Sequence, residues 1–150
     1  MKNIEEKLVG LLSKGHCTPK ISGLAKSLRE PSTTIHYNIK KLEKEGKVLA
    51  YKAVFDYRKI GRGFCTYVLI TLSPDEYGNP ERVARELVKF SEIESIDIIT
   101  GDWELVLKVR TKDADGYYGF VRTVLSRKGV TKIKSLTSLK QVKTEFVALD

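Results

Sequence analysis

Apolar residues fall at helical spacing through the first 45 positions and at strand spacing in much of the rest. Ile4, Leu8, Leu11 and Leu12 recur three to four residues apart, which predicts an amphipathic helix with its core on that side. Gly15 is placed to stop it, with Pro19 beyond. Ile21, Leu24, Ala25 and Leu28 give a second, shorter stripe. "REPS" predicts a tight turn, and Ser32 is a candidate N-cap for a third helix. Ile35, Ile39 and Leu42 are its inward residues, and Gly46 is placed to end it. Two short helices with so brief a turn predict a helix-turn-helix whose second member is the reading helix. "KVLAYKAVFDY" then reads as short extended segments, either a wing or a linker strand.

From residue 63 the pattern changes. "GFCTYVLITL" is rich in β-formers and predicts a strand. "SPDEYGNP" reads as a loop, and "ERVARELVKF" as a helix with Val83, Leu87 and Phe90 inward. "EIESIDIIT" and "WELVLKVR" read as strands joined through "TGDW". "DADGYYGFVRTVLSRKG" reads as a helix with Asp113 at its start and Gly129 past its end. "VTKIKSLTSLKQVKTEFV" reads as one long last strand. The order βαββαβ predicts a ferredoxin-like split unit with both helices on one face of the sheet. The fold class is therefore α+β, a winged-helix-like helix-turn-helix followed by a ferredoxin-like domain. Residues 1–50 are expected to form the first domain, 51–62 a linker strand and 63–150 the second. "CTYVLITL" is apolar on both faces, as is "IDII". An apolar sheet face left open is normally a partner surface, so a homodimer through this domain is expected. The alternative is that the arm before residue 63 covers the sheet.

Charge sharpens this division. The chain of 150 residues carries a net charge of +8. Residues 1–62 hold 14 Lys and Arg against 6 Asp and Glu, whereas residues 63–150 hold 13 of each. A basic block joined to a neutral one suggests that one part meets a polyanion and the other does something else. Double-stranded DNA fits the basic block. With Ile35, Ile39 and Leu42 inward, Ser32, Thr33, Thr34, His36, Tyr37 and Asn38 lie in the first turns of the third helix, where such motifs touch base edges. Lys40, Lys41 and Lys44 follow, where phosphates are neutralised.

Other functions find little support. The start "MKNIEEKLVGLLSKG" is amphipathic and carries Glu5 and Glu6, so it is not a signal peptide, and no apolar run reaches membrane-spanning length. A cytoplasmic protein without membrane contact is expected. Cys17 and Cys65 fit a reducing compartment better than a disulfide. Two histidines and two cysteines, not clustered, predict no metal site. "GRG" lacks the lysine and serine of a phosphate loop. No catalytic residues and no cofactor are expected. The rival to a DNA-binding regulator is a ligand-binding regulatory module that acts on a protein partner without specific DNA binding.

"IKKLEKEGKVLAYKAVFDYRKIG" and "TGDWELVLKV" together resemble the Lrp/AsnC, or feast/famine, family of prokaryotic transcriptional regulators, in its archaeal type. The resemblance covers nearly the whole chain. Tyr37 and Asn38 stand where arginine is common in the family, and Trp103 and Glu104 where Tyr or Phe and Asp are usual. The resemblance implies sequence-specific DNA binding that responds to an amino-acid effector. It also implies dimers built through the βαββαβ domain and their assembly into octamers. Carried over, the effector site falls on Thr100, Gly101, Asp102 and Trp103, with Ser135 and Thr137 on the last strand. Asp102 offers a carboxylate for the effector's ammonium, and the turn amides and hydroxyls offer donors for its carboxylate. Gly-Asp also suits a plain hairpin turn. A polar effector is favoured, such as glutamine, asparagine or a basic amino acid.

Overall fold

Asn3 opens the first helix, α1 (Ile4–Ser13), by accepting a bond from the Glu5 amide at 3.4 Å. Glu5 and Glu6 in its first turn suit the positive end of the helix dipole. Gly15 takes φ +106° beyond its end, a conformation that favours glycine, and a Cβ there would also crowd that of Ala50 at 3.2 Å. The computed structural model describes residues 3–149, in two units that meet between Phe55 and Asp56.

In the first unit α2 (Ile21–Leu28) and α3 (Ser32–Lys44) are joined by residues 29–31. Arg29, not a glycine, takes the left-handed conformation that ends α2, at φ 55° and ψ 40°. Ser32 does not cap α3. Pro31 occupies the cap with extended backbone, and Ser32 is already the first helical residue, with no side-chain capping bond. The rigid φ of proline sets the entry angle, which leaves the serine hydroxyl no place before the helix. Ala25 and Ile35 are the buried apolar residues of this unit. Ile4, Leu8, Leu11, Leu24, Leu28 and Leu42, expected in its core, are all exposed. Three short helices cannot cover three stripes among themselves. Residues 47–55 form neither a linker strand nor a two-stranded wing. One parallel bridge pairs His16 with Tyr51, and the Ala53 amide donates to the Leu12 carbonyl at 2.9 Å.

In the second unit β1 (Phe64–Leu72), β2 (Ile93–Ile98), β3 (Leu105–Thr111) and β4 (Val130–Thr137) form an antiparallel sheet in the order β2-β3-β1-β4. This is the expected ferredoxin-like arrangement. The β1–β2 connection contains one helical turn, α4 (Pro74–Tyr77), where a plain loop was expected. Pro74 at the first position and two acids behind it favour that turn. The helix α5 (Pro80–Leu87) buries Val83 and Leu87. In α6 (Ala114–Phe120), Asp113 caps the N-terminus by accepting from the Gly116 amide at 2.8 Å. The helix then widens into a π-helical turn over Val121–Leu125, which buries Val124 and Leu125. These side chains meet Val68, Ile70, Leu105 and Leu107 in one core, closed by an edge-on contact between Phe90 and Phe120.

The last strand is shorter than expected. It ends at Thr137, and a separate hairpin follows, β5 (Lys143–Thr144) with β6 (Val147–Ala148). Glu145 and Phe146 make its two-residue turn with φ of 46° and 68°, as the twist of such a turn demands. The Ser138 amide still donates to the Cys65 carbonyl at 2.9 Å, and there the ladder stops.

The sheet face away from the helices is half covered. Glu94 binds both Lys108 and Arg110 across it. The Tyr57 ring lies 3.9 Å from the Arg110 guanidinium, and the Gln141 carbonyl oxygen accepts from it at 2.7 Å. The arm and the C-terminal segment thus close one end. At the other end Tyr67 and Leu136 remain 38% and 47% exposed, beside half-buried Leu69 and Val106.

Candidate functional site

The helix α3 is long enough for its faces to differ chemically. Ile35 and Ile39 point inward, and every side chain from Ser32 to Thr34 and from His36 to Asn38 is exposed. At 3.6 residues per turn, Thr33, Tyr37, Lys40 and Lys44 make one outward ridge. His36, Thr34 and Lys41 flank it, and Ser32 and Asn38 turn toward the inner side. Tyr37, 70% exposed, is the large side chain on this ridge. Asn38 spends its Nδ2 on the Thr34 carbonyl at 2.8 Å, so the side-chain oxygen remains for an outside donor.

The lysines are not bare charges. Lys40 donates to Glu43 at 2.9 Å, and Lys41 lies 4.0 Å from Glu45. The hydrogen bond to Glu43 raises the Lys40 pKa, and the same bond, with one from the Tyr51 hydroxyl, holds the Glu43 carboxyl low against its desolvation. Lys47 takes Glu45 and Arg58 takes Asp56. These are surface pairs, each worth little, so a phosphate can displace the acid.

The second group of expected residues lies in the β2–β3 turn. Gly101 adopts φ +105°, and the Ile99 amide closes the turn on the Glu104 carbonyl at 3.0 Å. Thr100, Gly101 and Asp102 are exposed, and Trp103 is half-buried. The Glu104 carboxylate is used internally, accepting from the Leu72 amide at 2.8 Å. Lys132 of β4 holds its ammonium 5.9 Å from the centroid of the Trp103 ring.

Ser135 and Thr137 are not gathered at this turn within the protomer. Thr137 pairs with Thr66, and Thr66 with Val109, four residues along β3 from Leu105 at the turn's edge. At about 3.3 Å per residue that is roughly 13 Å along the strands. The Ser135 hydroxyl instead meets the Tyr117 hydroxyl of α6 at 2.5 Å, and burial raises the Tyr117 pKa against the lowering effect of that bond. Sequence reasoning missed Tyr117 and Lys132. Both become neighbours of the expected residues only through strand pairing and helix placement, which no local pattern encodes.

Among the described residues no cluster of three or more His, Cys, Asp and Glu could hold a metal, and no helix is long and apolar enough to cross a membrane.

Known proteins share this arrangement. Residues 65–148 match the Lrp/AsnC ligand binding domain. An uncharacterised HTH-type transcriptional regulator of Pyrococcus furiosus is 32% identical over 89% of this chain and 89% of its own length. The crystal structure of an AsnC family transcriptional regulator from Agrobacterium tumefaciens superimposes with a TM-score of 0.75 at 21% identity, over 96% of this chain and 94% of that one. A Neisseria meningitidis transcriptional regulator, solved as its L-Met complex, gives 0.72 at 24% identity, over 91% and 88%. The two structures share the fold, while the domain match and the Pyrococcus relative carry the kinship. The chain belongs to the Lrp/AsnC family of transcriptional regulators.

Proposed function

We propose that this protein binds specific sites in double-stranded DNA through α3, and that an amino acid bound at the β2–β3 turn alters its assembly and so its hold on DNA. The observation that carries the reading is the division of the chain. Of the net +8, +6 lies in the unit that presents an exposed ridge of Thr33, Tyr37, Lys40 and Lys44, and the nearly neutral second unit carries the family's ligand-binding domain. Ser32, Thr34, His36 and Asn38 supply further polar contacts, with Lys41 on the phosphates. Thr100, Gly101, Asp102 and Trp103 form the effector turn, with Asp102 holding the ammonium. Ser135 and Thr137 complete the site from another copy, since Thr137 lies roughly 13 Å along the strands from its own turn and the Ser135 hydroxyl is engaged by Tyr117.

The assembly is a homodimer through the open end of the sheet, where Tyr67 and Leu136 face solvent. Such dimers close into an octamer, as the family resemblance implies. The protein works in the cytoplasm as a regulator, not an enzyme. The Neisseria structural neighbour was solved with L-methionine, and polar amino acids such as glutamine suit the hydroxyls and carboxylate of this turn.

Gel shifts with genomic fragments at two salt concentrations test the DNA half. Affinity should fall steeply with salt, because each phosphate contact releases counterions. Lys40→Ala and Lys41→Ala should weaken all sequences alike, and Thr34→Ala or Tyr37→Ala should reduce discrimination between sites. Salt-independent or absent binding would favour the protein-partner alternative. Calorimetry with Asp102→Ala tests the other half: amino-acid binding should vanish while DNA affinity persists.

A further inference from the structure

Two exposed charges of opposite sign lie beside the β2–β3 turn without charged partners among the described residues. Asp102 makes no hydrogen bond or ion pair among the described residues. Lys132 likewise has no carboxylate partner among them, and its ammonium lies 5.9 Å from the centroid of the Trp103 ring. Glu104, next to Trp103 in sequence, is tied to the Leu72 amide. The fold thus keeps an ammonium over an indole face and directs the neighbouring acid elsewhere.

We infer that Lys132 binds the effector's α-carboxylate, with Trp103 as the wall for its side chain. This rests on the amino-acid reading of the same turn. A cation held over an aromatic ring is restricted before the ligand arrives, so less freedom is lost on binding. Asp102 takes the ammonium and Lys132 the carboxylate, so the two charges of a zwitterion are both met. The class of effector follows. A free α-carboxylate and a free α-ammonium are needed, and a neutral side chain is favoured, since an acidic one would bring a second negative charge against Asp102. A basic side chain brings a second positive charge against Lys132, which removes lysine and arginine from the polar candidates and leaves glutamine and asparagine among them.

The test is calorimetry on the full-length protein with L-glutamine, L-methionine and L-lysine, and with the carboxamide of whichever binds. Wild type should prefer glutamine or methionine to lysine by about tenfold or more, the scale of one charge contact. Lys132→Met should weaken that ligand by a similar factor, and Lys132→Arg should restore most of it. The carboxamide should bind wild type and Lys132→Met alike, because it has no carboxylate to lose. Thermal melting checks that the variants fold. Lys132→Met binding the acid as tightly as wild type overturns the inference alone, as does a carboxamide that loses as much as the acid. Failure of wild type to bind any of the three overturns this inference together with the effector reading.

Discussion

Arg110 is 3% exposed, yet it carries a full charge. It is kept there by the Glu94 carboxylate, the Gln141 side chain and the Tyr57 ring. Burial pushes the Glu94 carboxyl up, but the bonds from Lys108 and Arg110 outweigh it and hold the group below its ordinary 4.5. The group therefore contributes stability that is complete above about pH 4.5 and is lost as pH falls through the lower native value. Glu94→Gln should lower stability by about 3 kcal/mol at pH 7, since it leaves a buried guanidinium without a countercharge. The same variant should show a flatter decline in acid, and denaturant melts from pH 7 to pH 3 check both outcomes. Residue chemistry of this kind was only partly legible in the sequence. The α3 ridge was readable because its members are consecutive on one helix. Glu94, Lys108 and Arg110 meet across two strands whose register shifts between Ile93 and Ser95, and no spacing rule anticipates that shift.

Among the elements, those with clean periodicity came out as expected. The strands β1, β2 and β3 and the helices α5 and α6 were all marked by apolar spacing and by Asp113 as a cap. The misses have a common cause: ends set by backbone conformations that residue type does not announce. Ser32 lost the cap to Pro31. The long final strand breaks after Thr137 although its polar and β-forming residues continue, and its hairpin turns on Glu145 and Phe146 without a glycine. The turn between α2 and α3 rests on Arg29 in the same way. A β-branched residue tolerates positive φ poorly, so Arg29→Val should destabilise the first unit by about 1–3 kcal/mol. Arg29→Gly should be neutral or slightly stabilising. Helix content during thermal melts of the two variants distinguishes these outcomes.

For the whole molecule, the division between Phe55 and Asp56 assigns Tyr57 to the second unit, where it stacks on Arg110. A fragment of residues 56–150 should therefore fold and dimerise, and one beginning at Gly63 should dimerise less firmly for want of that ring. Light scattering on both fragments measures the difference, and a monomeric 56–150 fragment would contradict a dimer built on the open sheet end. Residues 1–55 should be monomeric and bind DNA weakly, because two linked half-sites supply most of the avidity. The sparse core of that first unit has a further consequence. With Ala25 and Ile35 as its buried apolar residues, the unit should open more often than the sheet, whose core holds eleven buried side chains. Amide deuteration should sweep through α1, α2 and α3 while β1 and β3 are still protected, and a cognate duplex should slow it. The reading head is then a part that finishes ordering on its target, and the free energy spent on that ordering lowers the affinity obtained from a given set of contacts.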